Sequence, residues 1–311
     1  MPDVEDRHHV VLACDDFFAM PLAATAASAC RATADATRLH FTVIDCGISA
    51  RNRQRIRRSV QRNGSAVTIV PFSSAIPAQA LRAGTVPSTA TYARLFAAEH
   101  LSDVTRAVYL DSDVIVRCDV ADVLALLDTT ALIAGVPDGP GDSAIGDIER
   151  LGTYLPSAGR AGTYVNAGVM CLNLQRFRDE GVSEQCQDLL ARGTFALGDQ
   201  DVINLVCAGQ TQALPRELNV QTHLLAELPD HERRLQFEQA KILHYTLRPK
   251  PWHGRGDNDE AGPWYDAVDK TDWRGWRPTG ARLLVPKVRR VARMVRTQPT
   301  RLASRLVPSR H

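Results

Sequence analysis

The amino-terminal part of the chain constrains the fold most. His9–Cys14, Leu39–Asp45 and Ala66–Val70 are short runs that stay apolar along nearly their whole length. A strand with one wet face alternates apolar and polar side chains, whereas a continuous apolar run suits a strand covered on both faces. Between these runs lie an Ala-rich segment that reads as a helix from about Pro21, and Ser49–Gln61, a second helix that Ser49 can cap. Strand and helix in alternation predict an α/β class: a mostly parallel sheet flanked by helices.

The pattern continues. Thr89–Glu99 reads as helix, and Ala107–Leu110 as a strand that runs straight into Asp111-Ser112-Asp113. Ala131–Val136 and Val165–Leu174 read as strands, Glu184–Arg192 and Asp199–Cys207 as helices, and Ile242-Leu243 closes the core set. Asp138–Thr163 interrupts this order with Gly, Pro and Ser, as a long loop with a short helix. Long loops within compact domains often form binding lids, and this one is expected to cover an acceptor.

Charge divides the chain in two. From Trp273 onward there are eleven Lys/Arg and no Asp/Glu, leaving 26 basic against 35 acidic residues in the body, a balance of −9. Residues 1–272 therefore read as one folded domain and 273–311 as a basic helical tail. Leu284, Val288, Val291 and Val295 recur at helical spacing with Lys287, Arg289, Arg290, Arg293 and Arg296 on the other face. A basic amphipathic helix suits an anionic membrane surface, and no nucleic-acid partner is expected.

Seven scattered cysteines without a CxxC pair read as reduced thiols of a cytoplasmic protein, peripheral on the inner face of the membrane through its tail. Phe17–Cys30 is uncharged, but the acids before it exclude a secretory signal, and its Ala, Thr and Ser content suits a buried helix.

The chemistry centres on Asp111 and Asp113. Side chains two apart on an extended chain point the same way, so both carboxylates converge at a strand's carboxyl end. That is where ligands bind in open α/β sheets, and two carboxylates suit a hard divalent cation. Alone, Asp-x-Asp is also what a solvated turn looks like. His244, in His-Tyr-Thr-Leu-Arg-Pro-Lys-Pro-Trp, offers an imidazole, which beside two carboxylates favours manganese over magnesium. By itself a histidine after an apolar strand is more often a core residue. Lys250 offers a point charge for a phosphate.

Taken in order, Leu12-Ala13-Cys14-Asp15-Asp16, Thr91-Tyr92-Ala93-Arg94-Leu95, Tyr109 to Asp113, Asn166-Ala167-Gly168-Val169, Asp199-Gln200-Asp201 and His244 to Trp252 resemble the family 8 retaining glycosyltransferases. The bacterial lipopolysaccharide α-galactosyltransferases and α-glucosyltransferases are the likeness in view, from about Val10 to Trp252. The resemblance implies a GT-A fold, a Rossmann-like sheet that binds UDP-galactose or UDP-glucose with Mn2+, or Mg2+ in its place. It implies a saccharide or glycolipid acceptor, such as lipopolysaccharide core.

Carried over residue by residue, it makes Asp111, Asp113 and His244 the metal ligands, with Ser112 between the two aspartates. Ala13 and Asp15 come to lie near the nucleotide, Arg94 near the donor sugar and phosphates, and Lys250 on the β-phosphate. Asn166 and Ala167 line the sugar, and Asp199, Gln200 and Asp201 face the reacting centre. The alternative for Arg94 is a salt bridge, for Asn166-Ala167-Gly168 a strand bulge, and for Asp199 a helix cap. The resemblance favours front-face attack with the β-phosphate as base. Asp201 is the one carboxylate of the motif available to a covalent route.

Two positions depart from the family's pattern. Phe17-Phe18 stand where Asn-Tyr is common, and Leu247 stands where a Gly lets the backbone approach the diphosphate. They keep in view a UDP-sugar-binding protein weakened in catalysis, and Asp111 with Asp113 also allows a metal-dependent phosphohydrolase.

Overall fold

The structure is a computed structural model that describes residues 7–83, 88–138, 163–254 and 259–279. The expected lid, apart from Asp138 and Thr163, and the tail beyond residue 279 lie outside the described residues.

Among the described residues, ten strands form two sheets. They are β1 (His8–Cys14), β2 (Leu39–Asp45), β3 (Ala66–Pro71), β4 (Arg106–Leu110), β5 (Val114–Val116), β6 (Ile133–Pro137), β7 (Val165–Asn173), β8 (Thr211–Ala213), β9 (Val220–Gln221) and β10 (Ile242–His244). The main sheet runs β3-β2-β1-β4-β7-β6-β8, and a small one runs β5-β10-β9. In the main sheet β1 pairs in parallel with both β2 and β4, β2 with β3, and β6 with β8. Strand β7 is antiparallel to β4 and to β6. The sheet is thus mostly parallel and mixed, as the apolar runs predict.

Side chains of β1 show why those runs stay apolar. Val10, Leu12 and Cys14 enter one buried cluster, and Val11 and Ala13 enter the other, on the opposite face. Helix α1 (Ala19–Ala32) covers the first face with small residues, and α2 (Ala50–Arg62) packs beside it, capped by Ser49. Helices α3 (Val182–Arg192) and α4 (Asp199–Val206) cover the second face. A short helix, α5 (Gly262–Val268), packs on α1 and buries Trp264.

Several expectations need adjustment. Helix α1 begins at Ala19, two residues before Pro21, a position tolerant of proline because the first turn has no hydrogen-bond partner for that nitrogen. Ile242-Leu243 is buried in the first cluster, as expected of the core set, and pairs within the small sheet. Thr89–His100 is helical, but its middle, Ala93–Phe96, is a 3-10 turn. Trp273 is buried in the first cluster and Trp276 packs on it, so packed chain continues past the 272/273 boundary set by charge. Among the described residues, no helix is long and apolar enough to cross a membrane.

Candidate active site

The strand order reverses between β1 and β4. The chain steps from β1 outward through β2 and β3, then returns to pair β4 on β1's other side. The carboxyl ends of those two strands border a crevice, the usual ligand position in such sheets. A cleft of about 440 Å³ opens there, lined by Ala13, Asp111, Asp113, Asn166, Gln200 and Lys250 among others.

Asp111 and Asp113 do converge, but not as alternate residues of a strand. They sit in a tight turn joining β4 to β5. Two anchors hold the turn: Ser112 Oγ donates to the Ala13 carbonyl at 2.9 Å, and Asp111 N–H donates to the Gly168 carbonyl at 2.7 Å. The buried Ser112 hydroxyl is thereby spent on the end of β1. Helix α1 holds the next strand, since Thr25 Oγ1 donates to the Val114 carbonyl and Val116 N–H donates to Ser28 Oγ.

The third group arrives through pairing. Strand β10 runs antiparallel to β5 with His244 opposite Val114, the residue after Asp113. His244 Nε2 lies 3.3 Å from Asp113 Oδ1 and 3.8 Å from Asp111 Oδ2. One atom from each residue lies within 4.8 Å of the others. An octahedral cation with bonds of ~2.1 Å has ligand edges of about 3 Å, so two carboxylates and one imidazole at this spacing fit a small divalent cation. Gly168 completes the cradle: a Cβ there would stand 2.2 Å from His244 Cε1 and 2.8 Å from Asp111 Oδ2.

Lys250 Nζ lies 2.5 Å from Asp113 Oδ2 and also donates to the Tyr245 carbonyl. Burial works to raise the Asp113 carboxyl, but Lys250 and His244 outweigh it and hold the group below the usual carboxylate range. Arg94 sits on the far side, buried, with Nη2 2.8 Å from Asp111 Oδ1 and Nε 2.9 Å from Asp199 Oδ2. It also donates to the Ala167 carbonyl and lies over the Tyr109 ring. Burial pushes the Asp199 carboxyl up to about 7 against the pull of Arg94, since one guanidinium serves two carboxylates.

Gln200 is packed between two strands' worth of partners. Its Oε1 accepts from Asn166 Nδ2 and from Ala167 N–H, both at 3.1 Å, and its Nε2 donates to Asp138 Oδ2 at 2.7 Å. Asp199 and Gln200 line the cleft, and Asp201 does not. Asp201 is fully buried, accepting from Tyr164 Oη at 2.6 Å and from Leu197 N–H at 2.9 Å. Gly198, with φ +60, occupies the cap position of α4, so Asp199 is the first helical residue and not the cap.

Asp15 Oδ1 accepts from the N–H groups of Phe17 and Phe18, which folds the turn after β1; Asp15 itself does not line the cleft. That turn brings Phe18 to the cleft, edge-on to Trp252 at 6.0 Å. Leu247 takes the left-handed backbone, φ 55, that a glycine would take, and its side chain is 64% exposed at the rim.

Sequence reasoning did not single out Asn219, Asp138, Gln221 or Tyr164. Asn219 Oδ1 pairs with His244 Nδ1 at 2.9 Å, and Gln221 Nε2 donates to Asp138 Oδ1 at 2.8 Å. No motif spacing marks them. The available signal was the polar Asn219 and Gln221 flanking Val220.

Comparison with known proteins agrees with this geometry. The profile of glycosyl transferase family 8 matches residues 9–256. A lipopolysaccharide 1,2-glucosyltransferase of Escherichia coli K12 is 29% identical over 244 residues, 75% of this chain and 69% of the relative. A lipopolysaccharide 1,3-galactosyltransferase of Salmonella typhimurium is 26% identical over 205 residues, 62% of this chain and 59% of the relative. Among solved structures, the galactosyltransferase LgtC with donor and acceptor sugar analogues superposes with a TM-score of 0.69 at 22% identity, covering 85% of this chain and 96% of that one. That likeness shows the fold, which is GT-A. With the profile spanning most of its length, the chain belongs to glycosyl transferase family 8.

Proposed function

We propose that this protein is a retaining hexosyltransferase that moves galactose or glucose from a UDP-sugar to a saccharide acceptor. A glycolipid such as lipopolysaccharide core is the acceptor we favour, in keeping with what its relatives are named for. The observation that carries the reading is the convergence of Asp111, Asp113 and His244 at the carboxyl end of β4, in one cleft with Lys250 and Gln200. A divalent cation, manganese by the mixed oxygen and nitrogen donors, supplies charge neutralisation for the departing diphosphate there.

The chain's own groups take the remaining tasks. Lys250, anchored beside Asp113, binds the β-phosphate. Ala13 and Phe18 border the nucleotide side, and Asn166 and Gln200 border the sugar, while Ala167, expected there too, is buried in the core and only holds Gln200 through its N–H. Arg94 fixes Asp111 and Asp199 and so shapes the sugar's surroundings. Front-face attack is favoured by the position of Asp201, whose oxygens face Tyr164 and Leu197 away from the cleft. The acceptor oxygen bonds to the anomeric carbon as that carbon's bond to the β-phosphate oxygen breaks. The acceptor's proton passes to the phosphate.

A panel of UDP-sugars hydrolysed with manganese tests this without an acceptor. Hydrolysis of UDP-galactose or UDP-glucose, lost in Asp113→Asn, is expected, and an α-linked product once a saccharide acceptor is added. Phosphate release from simple esters, or UDP binding with no turnover, would point to the phosphohydrolase or the weakened binder. The basic tail is proposed to bring the enzyme to anionic membrane. Co-sedimentation with anionic liposomes should fall with salt and on removal of residues 282–311.

A further inference from the structure

Asn219 is buried and lies one residue before β9, which pairs in parallel with β10 and so sets it against His244. Its amide can point either way, and its neighbours decide which. The deciding groups are main-chain N–H groups, which cannot turn. Gly168 N–H donates to Asn166 Oδ1 at 3.0 Å, and Ala167 N–H donates to Gln200 Oε1 at 3.1 Å. With Asn166 Oδ1 identified as the acceptor, its Nδ2 faces Gln200 Oε1, a second acceptor, and the two assignments agree. The carboxylate of Asp138, an acceptor only, closes the far end by taking Gln200 Nε2.

Asn166 Oδ1 lies 2.9 Å from Asn219 Nδ2, so Asn219 donates to it and turns Oδ1 toward His244 Nδ1, also at 2.9 Å. An amide oxygen can only accept, so Nδ1 carries the hydrogen. In the neutral ring Nε2 is then bare, and Nε2 is the atom that faces Asp111 and Asp113. The opposite tautomer would set two lone pairs against each other at Asn219 and a hydrogen where a metal binds.

We propose that Asn219 is a positioning residue for the metal centre, holding His244 with its hydrogen on Nδ1 and its Nε2 lone pair toward Asp111 and Asp113. Its direction is imposed by the Gly168 main chain through Asn166. The inference rests on the metal-site reading above, and it adds a physical link. Asn166 and Gln200, assigned to the sugar, share one hydrogen-bond chain with the imidazole assigned to the metal.

Manganese titration of the full chain, followed by the electron paramagnetic resonance of free Mn2+ with and without UDP, tests it. Asn219→Leu is expected to weaken binding by about 10- to 100-fold, as loss of a ligand's orienting partner does. Equal affinity of variant and wild type overturns the proposal and leaves the metal site standing. No binding by the wild type overturns the metal site itself. Nitrogen-15 NMR of histidine-labelled wild type at a pH where the ring is neutral decides the tautomer whether or not the variant folds. The His244 signals, identified by their absence in His244→Gln, should show a protonated Nδ1 and a bare Nε2. The reverse pattern overturns the proposal.

Discussion

At the scale of single residues, the cleft separates groups that face it from groups that only support it. Gly168 belongs to the first kind by having no side chain, since a methyl group would overlap His244 and crowd Asp111. Gly168→Ala should leave a folded protein whose manganese affinity falls by at least about tenfold, because the ring or the carboxylate must move. Wild-type affinity in a titration would refute it. Asp201 is of the second kind. Asp201→Asn should lower stability by about 1–3 kcal/mol, since Tyr164 Oη and Leu197 N–H lose a charged acceptor. Its transfer product should keep the wild-type stereochemistry, and an altered anomer would bring the covalent route back. The sequence carried Asp111, Asp113 and His244 because their types and order are informative. It could not show which way Asp201 points, as neighbours on a helix differ by about 100° and only packing fixes which one faces the cleft.

At the scale of elements, the small sheet is what joins distant chain to the site. Its strands span two or three residues, too short for any periodicity, so the pairing of β5 with β10 was invisible. The antiparallel setting of β7 was hidden for a related reason. All nine of its residues are buried, and a fully buried run reads the same in either direction. The loop after β10 holds the Lys250 ammonium, and within it Leu247 accepts a left-handed backbone. That conformation costs a residue with a Cβ about 1–2 kcal/mol, and glycine's extra unfolded freedom takes back about 0.5–1 kcal/mol. Leu247→Gly should therefore stabilise the protein by about 0.5–1 kcal/mol in urea melts, with hydrolysis of UDP-hexose no lower than wild type. A loss of stability would show that the rim leucine contributes packing its 64% exposure does not reveal.

At the scale of the whole molecule, the end of the sheet opposite the cleft holds a pair of histidines that should make the fold sensitive to acid. His9 of β1 and His40 of β2 are register partners, stacked with ring centroids 5.5 Å apart. Their Nδ1 atoms are buried without hydrogen-bond partners among the described residues, while His40 Nε2 meets Thr68 Oγ1 at 2.9 Å. Burial lowers both rings, and for His9 the charges of His40, Arg7 and His8 add to it and bring it to about 4. An unfolded histidine protonates near 6.5. Between about 6.5 and 4 the unfolded chain therefore binds more protons at His9 than the folded one. Stability is fully present above 6.5 and is lost as pH falls through that window. Because His9 is only partly buried, solvent softens the effect to roughly half a kcal/mol per pH unit. His9→Phe keeps an aromatic ring on His40 and removes the proton. Urea melts from pH 7 to 5, above the range where most carboxylates titrate, should show a shallower loss for the variant. Identical slopes would mean that acid acts elsewhere, with His40 and His100, which burial also lowers, the first groups to examine. A shallower slope would place the acid sensitivity at the sheet's amino edge, where it can be removed without touching the site.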